Sequence, residues 1–267
     1  MRKIELNVFL LIFLFSLTTC NSTEDDQPIE YPESIGILDQ SELDEFAINQ
    51  YEIINGDLLL NGISDISALH TLREVRGNVF IGWTSLSSLE GLHNLHKIGG
   101  NLNISWNDYL EDLSAFSNID SLHEDLIIMG QPRLMSLEGF NNVTYIRNRL
   151  EMTWNGFENL SGFDSIKRID GSIEISLNLN AKEISAFENL ESIRNSLQIE
   201  WNDQLETISG FSNLKRIEYG SFVVSYNKNL TNLCGFQQLD YIPITPFIDN
   251  NRYNPTIEDI RDGNCVQ

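Results

Sequence analysis

A phrase of similar composition recurs eight times along the chain, and this repeat decides what the chain can fold into. Each copy begins with an apolar residue, any residue and a second apolar residue. The copies start 21 to 25 residues apart, at Leu58, Val79, Leu102, Leu126, Leu150, Ile173, Leu197 and Phe222. Such a period is typical of a solenoid, in which each repeat is one coil that cannot bury its apolar face alone. The sequence therefore predicts a mainly β fold, a right-handed parallel β-solenoid of about eight short leucine-rich coils with N- and C-terminal caps.

The apolar positions inside each copy predict how a coil packs. Alternation at the start of the copy favours a short strand, and repetition sets these strands side by side in parallel, about 4.8 Å apart. Further apolar residues follow at about every third position. In the coil that starts at Leu102 they are Leu110, Leu113, Phe116, Ile119 and Leu122. This core explains the length of the chain without a second domain.

An amide side chain ends the strand phrase in most copies. The amides are Asn107, Gln131, Asn155, Asn178, Asn202 and Asn227. At a tight bend an amide bonds backbone groups that the turn leaves unpaired. We therefore predict a structural ladder of stacked amides and do not assign these residues a binding role.

The residue before each amide defines a second column, which is rich in aromatic side chains. It reads Gly62, Trp83, Trp106, Gly130, Trp154, Leu177, Trp201 and Tyr226, and it contains all four tryptophans. If the strand exit is exposed, these rings stack on sugars or pack on a partner protein. Alternatively, they stack on one another and shield the edge of the sheet. The sequence leaves both interpretations open.

A third column lies between the two core residues of each strand and faces outward. It reads Leu59, Phe80, Asn103, Ile127, Glu151, Glu174, Gln198 and Val223, so its first half is mostly apolar and its middle is acidic. Apolar side chains on a solvent-facing strand indicate a contact patch. The preferred patch is Leu59, Phe80, Trp83, Trp106, Ile127 and Met129, and Trp154, Trp201 and Tyr226 complete the candidate ligand-binding residues.

The N-terminus has the pattern of an export signal. Arg2 and Lys3 precede an apolar run from Val8 to Leu17, which is too short to span a membrane and is typical of a signal peptide over residues 1–19. Leu17-Thr18-Thr19-Cys20 resembles a bacterial lipobox, and this resemblance implies a lipid on Cys20.

Residues 20–34 are predicted to form a flexible tether that carries the acidic run Glu24-Asp25-Asp26. This run resembles the surface-export signal of lipoproteins in the Bacteroidetes. A plain solvated linker is the alternative. The expected location is the cell envelope, as an outer-membrane lipoprotein exposed at the surface and held to the membrane through its N-terminal lipid only.

The solenoid domain is predicted over residues 35–267, with caps at 35–56 and 246–267 and coils at 57–245. Asp39, followed three residues later by Glu42, has the form of a capping box and predicts a helix. With Cys20 committed to lipid, Cys234 and Cys265 are the two remaining thiols. In an exported protein we favour a disulfide between them over two free thiols.

The repeat resembles the receptor L domain, the leucine-rich relative found in the ectodomains of insulin and epidermal growth factor receptors. The resemblance is carried by Gly100-Asn101-Leu102-x-Ile104-x-x-Asn107 and the later apolar positions of that coil. Tyr253-Asn254-Pro255-Thr256 and Asp262-Gly263-Asn264-Cys265 resemble the end of flavobacterial L-domain lipoproteins. The likeness runs from about residue 35 to the C-terminus. It implies recognition, because family members bind proteins or sit in cell envelopes and share no catalytic residues.

Charge and motifs exclude several classes of function. The chain has 17 basic and 39 acidic residues, a net charge of -22, which disfavours nucleic acid and direct binding to anionic lipid. No nucleophile motif, His-Glu-x-x-His or phosphate loop is present, and we predict no catalytic residue, metal or cofactor. His70 and His93 lie at equivalent places in adjacent coils, and without a third ligand they indicate an exposed pair.

Three functions remain, in decreasing order of support. The first is a non-catalytic recognition protein for an unknown protein or glycan. The second is a structural or assembly component of the cell envelope. The third is a lyase-like β-solenoid enzyme, which is disfavoured because every coil is short and no insertion walls a cleft.

Overall fold

The computed structural model describes residues 27–267, and these form a stack of parallel β-coils. The predicted signal peptide and Cys20 lie outside the described residues. The main sheet has ten strands: Ile35–Ile37, Leu58–Asn61, Val79–Gly82, Leu102–Ser105, Leu126–Met129, Leu150–Thr153, Ile173–Ser176, Leu197–Glu200, Phe222–Ser225 and Phe247–Asp249. All neighbouring strands in it run parallel. The predicted parallel β-solenoid is therefore confirmed.

One repeat of the sequence equals one step of the main sheet. Leu102 pairs with Leu126 and Ile104 with Ile128, and the other strands keep this register. Because side chains alternate along a strand, the first and third residues of the strands from Ile35–Ile37 to Phe222–Ser225 face the core, whereas the second and fourth face outward. The core residues at these positions are fully buried, Leu102 and Ile104 among them. In the last strand, Phe247–Asp249, the middle residue pairs with the core residue Val224.

Three smaller sheets of two-residue strands close the other faces of the coils. One contains Glu30–Tyr31, Ile53–Ile54, Glu74–Val75 and Lys97–Ile98. The second contains Ser121–Leu122, Tyr145–Ile146, Arg168–Ile169, Ser192–Ile193 and Arg216–Ile217, and the third Asn159–Leu160, Glu183–Ile184 and Thr207–Ile208. Short 3-10 helices lie at Ser67–Leu69, Glu90–Leu92, Ser114–Asn118, Glu138–Phe140 and Cys234–Phe236.

A column of buried phenylalanines runs through the core from coil to coil. It consists of Phe116, Phe140, Phe163, Phe187, Phe211 and Phe236, all fully buried. Successive rings are stacked with centroids 5.0 to 5.6 Å apart. Such pairs contribute about 0.5–1.5 kcal/mol each beyond the burial of their area, so this column ties neighbouring coils together.

A helix at Gln40–Ala47 covers the N-terminal end of the core, as predicted. The Asp39 carboxylate accepts hydrogen bonds from the backbone N–H groups of Ser41 and Glu42. Glu42 accepts from the N–H of Leu38, 2.7 Å away, so the expected capping box is displaced by one residue. Leu43 and Phe46 are buried against the first coil, as the sequence indicates.

Regular structure begins earlier than the predicted cap. The strand Glu30–Tyr31 lies inside the segment assigned to the flexible tether and pairs with Ile53–Ile54. The ring of Tyr31 contacts those of Phe46 and Tyr51, with centroids 5.4 and 5.2 Å apart. These contacts explain why the chain is already packed at Glu30.

The C-terminal end is closed by a helix at Ile257–Arg261 and by a disulfide. Cys234 and Cys265 are bonded, with Cα atoms 4.9 Å apart, which confirms the predicted pairing. Thr256 and Asp259 form a reciprocal capping box at the start of the helix. Among residues 27–267, no helix has the length and apolar character needed to cross a membrane.

Candidate functional site

The main-sheet strands end in a turn that opens with a left-handed residue. The φ angle lies between +50° and +61° at Trp83, Trp106, Trp154, Leu177, Trp201 and Tyr226. Gly62 and Gly130 fill the same position in two other coils, with φ of +66° and +68°. A left-handed conformation costs a non-glycine residue about 1–2 kcal/mol. The buried Phe163, Phe187 and Phe211 adopt the same conformation, so it marks turns of the coil, and what sets this column apart is that its large rings are exposed.

All four tryptophans of this column are substantially exposed. Their exposed fractions are 59% for Trp83, 43% for Trp106, 47% for Trp154 and 46% for Trp201. The turns lie one above another at the exit of the main sheet, about 4.8 Å apart. The column is thus a discontinuous strip of aromatic surface along one edge of the solenoid.

The ring contacts differ along the strip. The ring of Trp83 packs against Phe80, with centroids 5.6 Å apart. The ring of Trp106 lies over Gly130, where a Cβ atom would come within 2.5 Å of it, so glycine makes room for this ring. Trp201 and Tyr226 stack face to face, with centroids 4.1 Å and planes 1° apart.

These contacts support one of the two interpretations that the sequence left open at one end of the strip and the other interpretation at the other end. The stack of Trp201 on Tyr226 is the arrangement expected if the rings shield the edge of the sheet. In the part of the chain that the structure describes, Trp83, Trp106 and Trp154 do not stack on one another. Their rings remain free to contact a ligand.

The preferred apolar patch is brought together by the register of the main sheet. Leu59 pairs with Phe80, and Ile127 follows two strands further on beside Asn103. Leu59, Phe80, Ile127 and Met129 are all partly exposed on the outward face. With Trp83 and Trp106 at the strand exits, the six predicted residues occupy four neighbouring strands.

The same face becomes acidic beyond the apolar patch. Glu151, Glu174 and Glu200 project outward from the next three strands. Only 7% of Glu151 is exposed, and its carboxylate forms an ion pair with the guanidinium of Arg149, with the nitrogen and oxygen atoms 2.8 Å apart. Burial raises the pKa of the Glu151 carboxyl, while the charge of Arg149 opposes this shift. The face therefore offers a ligand aromatic and apolar contacts at one end and carboxylates at the other.

The amide column is structural, as predicted. The N–H of Asn202 donates to Oδ1 of Asn227, and its Nδ2 donates to the carbonyl of Ile175, both at 3.0 Å. The other members repeat this pattern, and all are buried. The ladder also continues to Asn251, which the sequence assigned to the C-terminal cap.

A second amide ladder, on a different turn, was not predicted. Its members donate from Nδ2 to a carbonyl of the preceding coil. They are Asn94, Asn118, Asn142, Asn189 and Asn213. The signal was present, because each Asn directly precedes an apolar core residue of its repeat.

His70 and His93 contribute to local turns. Each Nδ1 lies within hydrogen-bonding distance of a carbonyl three residues earlier, Ser67 and Glu90 respectively. Between residues 27 and 267, no group of three or more histidine, cysteine or acidic side chains is arranged to hold a metal ion.

The comparison with protein families agrees with the predicted resemblance over part of the chain. Residues 144–240 match the family described as Receptor L domain, a family of binding domains. The predicted resemblance is confirmed over this segment. No curated protein shows significant similarity to the chain. Fold and match together define a parallel β-solenoid whose residues 144–240 are similar to the receptor L domain, and this similarity suggests a role in binding.

Proposed function

We propose that the chain is a non-catalytic recognition protein that binds a protein or a glycan through the outward strand face and the aromatic column. The observation that carries the proposal is the position of Trp83, Trp106 and Trp154. They are 43% to 59% exposed and stand at backbone positions that disfavour any side chain. The buried Phe163, Phe187 and Phe211 share the left-handed conformation, so the exposure of the tryptophan rings, and not the backbone alone, distinguishes these positions.

Preorganisation makes such residues effective contacts. Large aromatic side chains supply most of the energy in many interfaces, and their rings also stack on sugars and other flat ligands. Because the turn and the amide ladder fix the backbone beneath them, binding orders few additional degrees of freedom. The acidic end of the face favours a partner that carries positive charge opposite Glu174 and Glu200.

The proposed location is the outer membrane, with a lipid on Cys20 and the solenoid exposed at the cell surface. The lipobox-like Leu17-Thr18-Thr19-Cys20 and the acidic run after it support this proposal. Labelling of the parent chain with a palmitate analogue, and loss of the label in Cys20→Ser, test the anchor. Cleavage by protease added to intact cells tests surface exposure, and protection in intact but not lysed cells would contradict it.

A structural role in the envelope is the second candidate, and one observation favours it. Trp201 and Tyr226 stack face to face, which is how a column that only shields the sheet would behave. Isolation of a stable envelope complex, without affinity for free ligands, would support this role. A lyase-like activity is less supported, because no long insertion walls a cleft along coils 57–245, and turnover of an acidic polysaccharide is its test.

The recognition proposal is tested by a binding screen against glycans and envelope proteins with the chain from residue 21 onward. The parent is compared with the triple variant Trp83→Ala, Trp106→Ala, Trp154→Ala. The matched control is Tyr109→Ala, Tyr219→Ala, Tyr241→Ala, which removes three exposed rings that lie outside the aromatic column. We expect the parent and the control to bind the same ligand and the triple variant, with its fold intact, to lose it. Equal binding by all three, or no binding by the parent, would contradict the proposal.

A further inference from the structure

A cleft opens at the N-terminal end of the solenoid, away from the aromatic column. Its volume is about 460 Å³, within the usual range of about 300–1,000 Å³ for ligand pockets. It lies between the end strand of the main sheet and the N-terminal helix. Its walls include Tyr31, Ile35, Gly36, Glu42, Glu45 and Phe46.

The inner side of the cleft is apolar and aromatic. Tyr31, Phe46 and Tyr51 pack together, with ring centroids 5.0 to 5.4 Å apart. Ile37 is fully buried beneath them. The N-terminal cap therefore covers most of the first coil but leaves an aromatic-walled opening into its end.

The strand beside the cleft has an unpaired edge. Ile35 donates from its N–H to the carbonyl of Asp57, 2.8 Å away in the neighbouring coil. Because residues alternate in a parallel ladder, the N–H and C=O of Gly36 point to the opposite side. No further strand lies on that side within residues 27–267. Gly36 is exposed, and a Cβ atom there would point to the outward face, where it would meet only a methyl of Leu59 at 3.9 Å.

Charge on the rim restricts what the cleft can receive. Glu42 and Glu45 stand on the helix side, and neither Lys nor Arg lines the cleft. A segment that combines apolar and basic side chains is complementary to both parts of the cleft.

We infer that this cleft docks an extended segment of a partner protein, which adds a strand beside Ile35–Ile37. Addition of a strand to an exposed sheet edge uses main-chain hydrogen bonds for affinity and side-chain pockets for specificity. Here the backbone of Gly36 supplies the hydrogen bonds. An apolar side chain of the segment packs on Tyr31 and Phe46, and a Lys or Arg side chain meets Glu42 and Glu45.

The probe is the blocked peptide Ac-Val-Lys-Val-Lys-Val-NH2, titrated into the full chain in detergent micelles at 0.15 M salt. Its counterpart with Gln in place of both Lys residues reports the contribution of charge. We expect saturable binding of the Lys peptide, about fivefold weaker binding of the Gln peptide, and slower hydrogen exchange of the Gly36 amide in the complex.

Three variants test whether the peptides bind in the cleft. Glu45→Gln should remove most of the preference for the Lys peptide. Gly36→Pro removes the N–H that would bond the segment, at an edge-strand position where proline is tolerated, so both peptides should bind about tenfold more weakly. Asp44→Asn removes an equal charge from the same helix at a position that does not line the cleft, and it should change nothing.

Several results would overturn the inference. One is the absence of saturable binding. Another is an equal loss of preference for the Lys peptide in Asp44→Asn and Glu45→Gln, which would show that the preference comes from the net charge of the protein and not from the cleft. Competition by n-butylamine at the same concentration as the peptide would assign the cleft to a free amine and not to a protein segment.

Discussion

At the scale of single residues, the left-handed turn position combines a backbone cost with an exposed aromatic ring. The sequence spacing predicts the column. Two of its members, Gly62 and Gly130, are glycines, which adopt a positive φ angle freely. The conformation of the other members was not predicted, because Trp and Leu carry no local preference for a positive φ. The positive φ angle is instead set by the pairing of the strand that ends there and by the hydrogen bonds of the amide residue that follows.

The first prediction concerns the backbone at Trp83. Trp83→Gly and Trp83→Ala both remove the ring, so their difference reports the backbone alone. We expect Trp83→Gly to be more stable than Trp83→Ala by about 1 kcal/mol in denaturant unfolding, because glycine adopts the left-handed conformation freely. At Gln198, within a strand, glycine should instead be less stable than alanine. Equal stability of the two Trp83 variants would contradict a strained turn.

The second prediction concerns the pH dependence of stability at Glu151. Burial raises the pKa of this carboxyl above its ordinary value of 4.5, against the opposing charge of Arg149. A carboxyl with a raised pKa in the folded state contributes stability that is present below pH 4.5. That contribution is lost as the pH rises through the folded-state pKa.

Glu151→Gln preserves the neutral form of the side chain at every pH. We therefore expect the variant to have a higher unfolding free energy than the parent at pH 7 and a similar one near pH 4. Denaturant unfolding at both values measures this. A variant that is less stable at pH 7 would show that the ion pair with Arg149 outweighs the cost of burial.

At the scale of the coil, hydrogen bonds between side chain and backbone decide where each turn closes. The amide ladder was predicted because the repeat places an amide at most strand exits. The strands Glu30–Tyr31 and Phe247–Asp249 were missed, because nearby prolines, among them Pro32 and Pro246, indicate linkers or breaks. Both strands form because the neighbouring coil offers an edge with free backbone N–H and C=O groups, which is information that the local sequence does not contain.

The third prediction compares the two amide ladders. Asn202 is fully buried, and its loss leaves the backbone N–H of Asn178 and the carbonyl of Ile175 without their side-chain partner. Each such group costs about 1–3 kcal/mol, so we expect Asn202→Ala to lower the unfolding free energy by about 2–4 kcal/mol. Asn189 is exposed and donates to the carbonyl of Asp164, to which water has access. Asn189→Ala should cost less than about 1 kcal/mol, and equal costs would contradict the distinction.

At the scale of the whole molecule, each coil contacts mainly its neighbours, so stability is distributed along the stack. The core runs through the stack without interruption, and the two ends depend on their caps. The disulfide joins the C-terminal segment to the turn at Cys234. Loss of this bond should therefore act on one end of the molecule.

The fourth prediction follows from this local character. In Cys234→Ser, Cys265→Ser we expect amides of residues 230–267 to lose hydrogen-exchange protection, whereas those of Leu102–Ser105 keep theirs. In the chain-entropy description, a loop of this length contributes about 3–4 kcal/mol. The parent treated with reductant should show the same pattern. A uniform loss of protection along the chain would show a single cooperative unit.

The sequence predicted the candidate site in part. Spacing located the aromatic and outward columns, and register then placed Leu59, Phe80 and Ile127 on neighbouring strands as expected. Spacing could not distinguish stacked rings from free ones, because that depends on side-chain packing between coils. The N-terminal cleft also escaped prediction, since it is formed by Tyr31, Ile35 and Phe46 from three separate elements.

The measurement that tests the central claim most directly separates binding from stability, one tryptophan at a time. Trp83→Ala, Trp106→Ala, Trp154→Ala and Trp201→Ala are each assayed for affinity toward the ligand found in the screen and for unfolding free energy. We expect at least one of the first three variants to weaken binding by about tenfold or more while its fold stays intact. Trp201→Ala should mainly lower stability, because its ring stacks on Tyr226. Unchanged affinity in all four variants would contradict the assignment of the aromatic column as a recognition site.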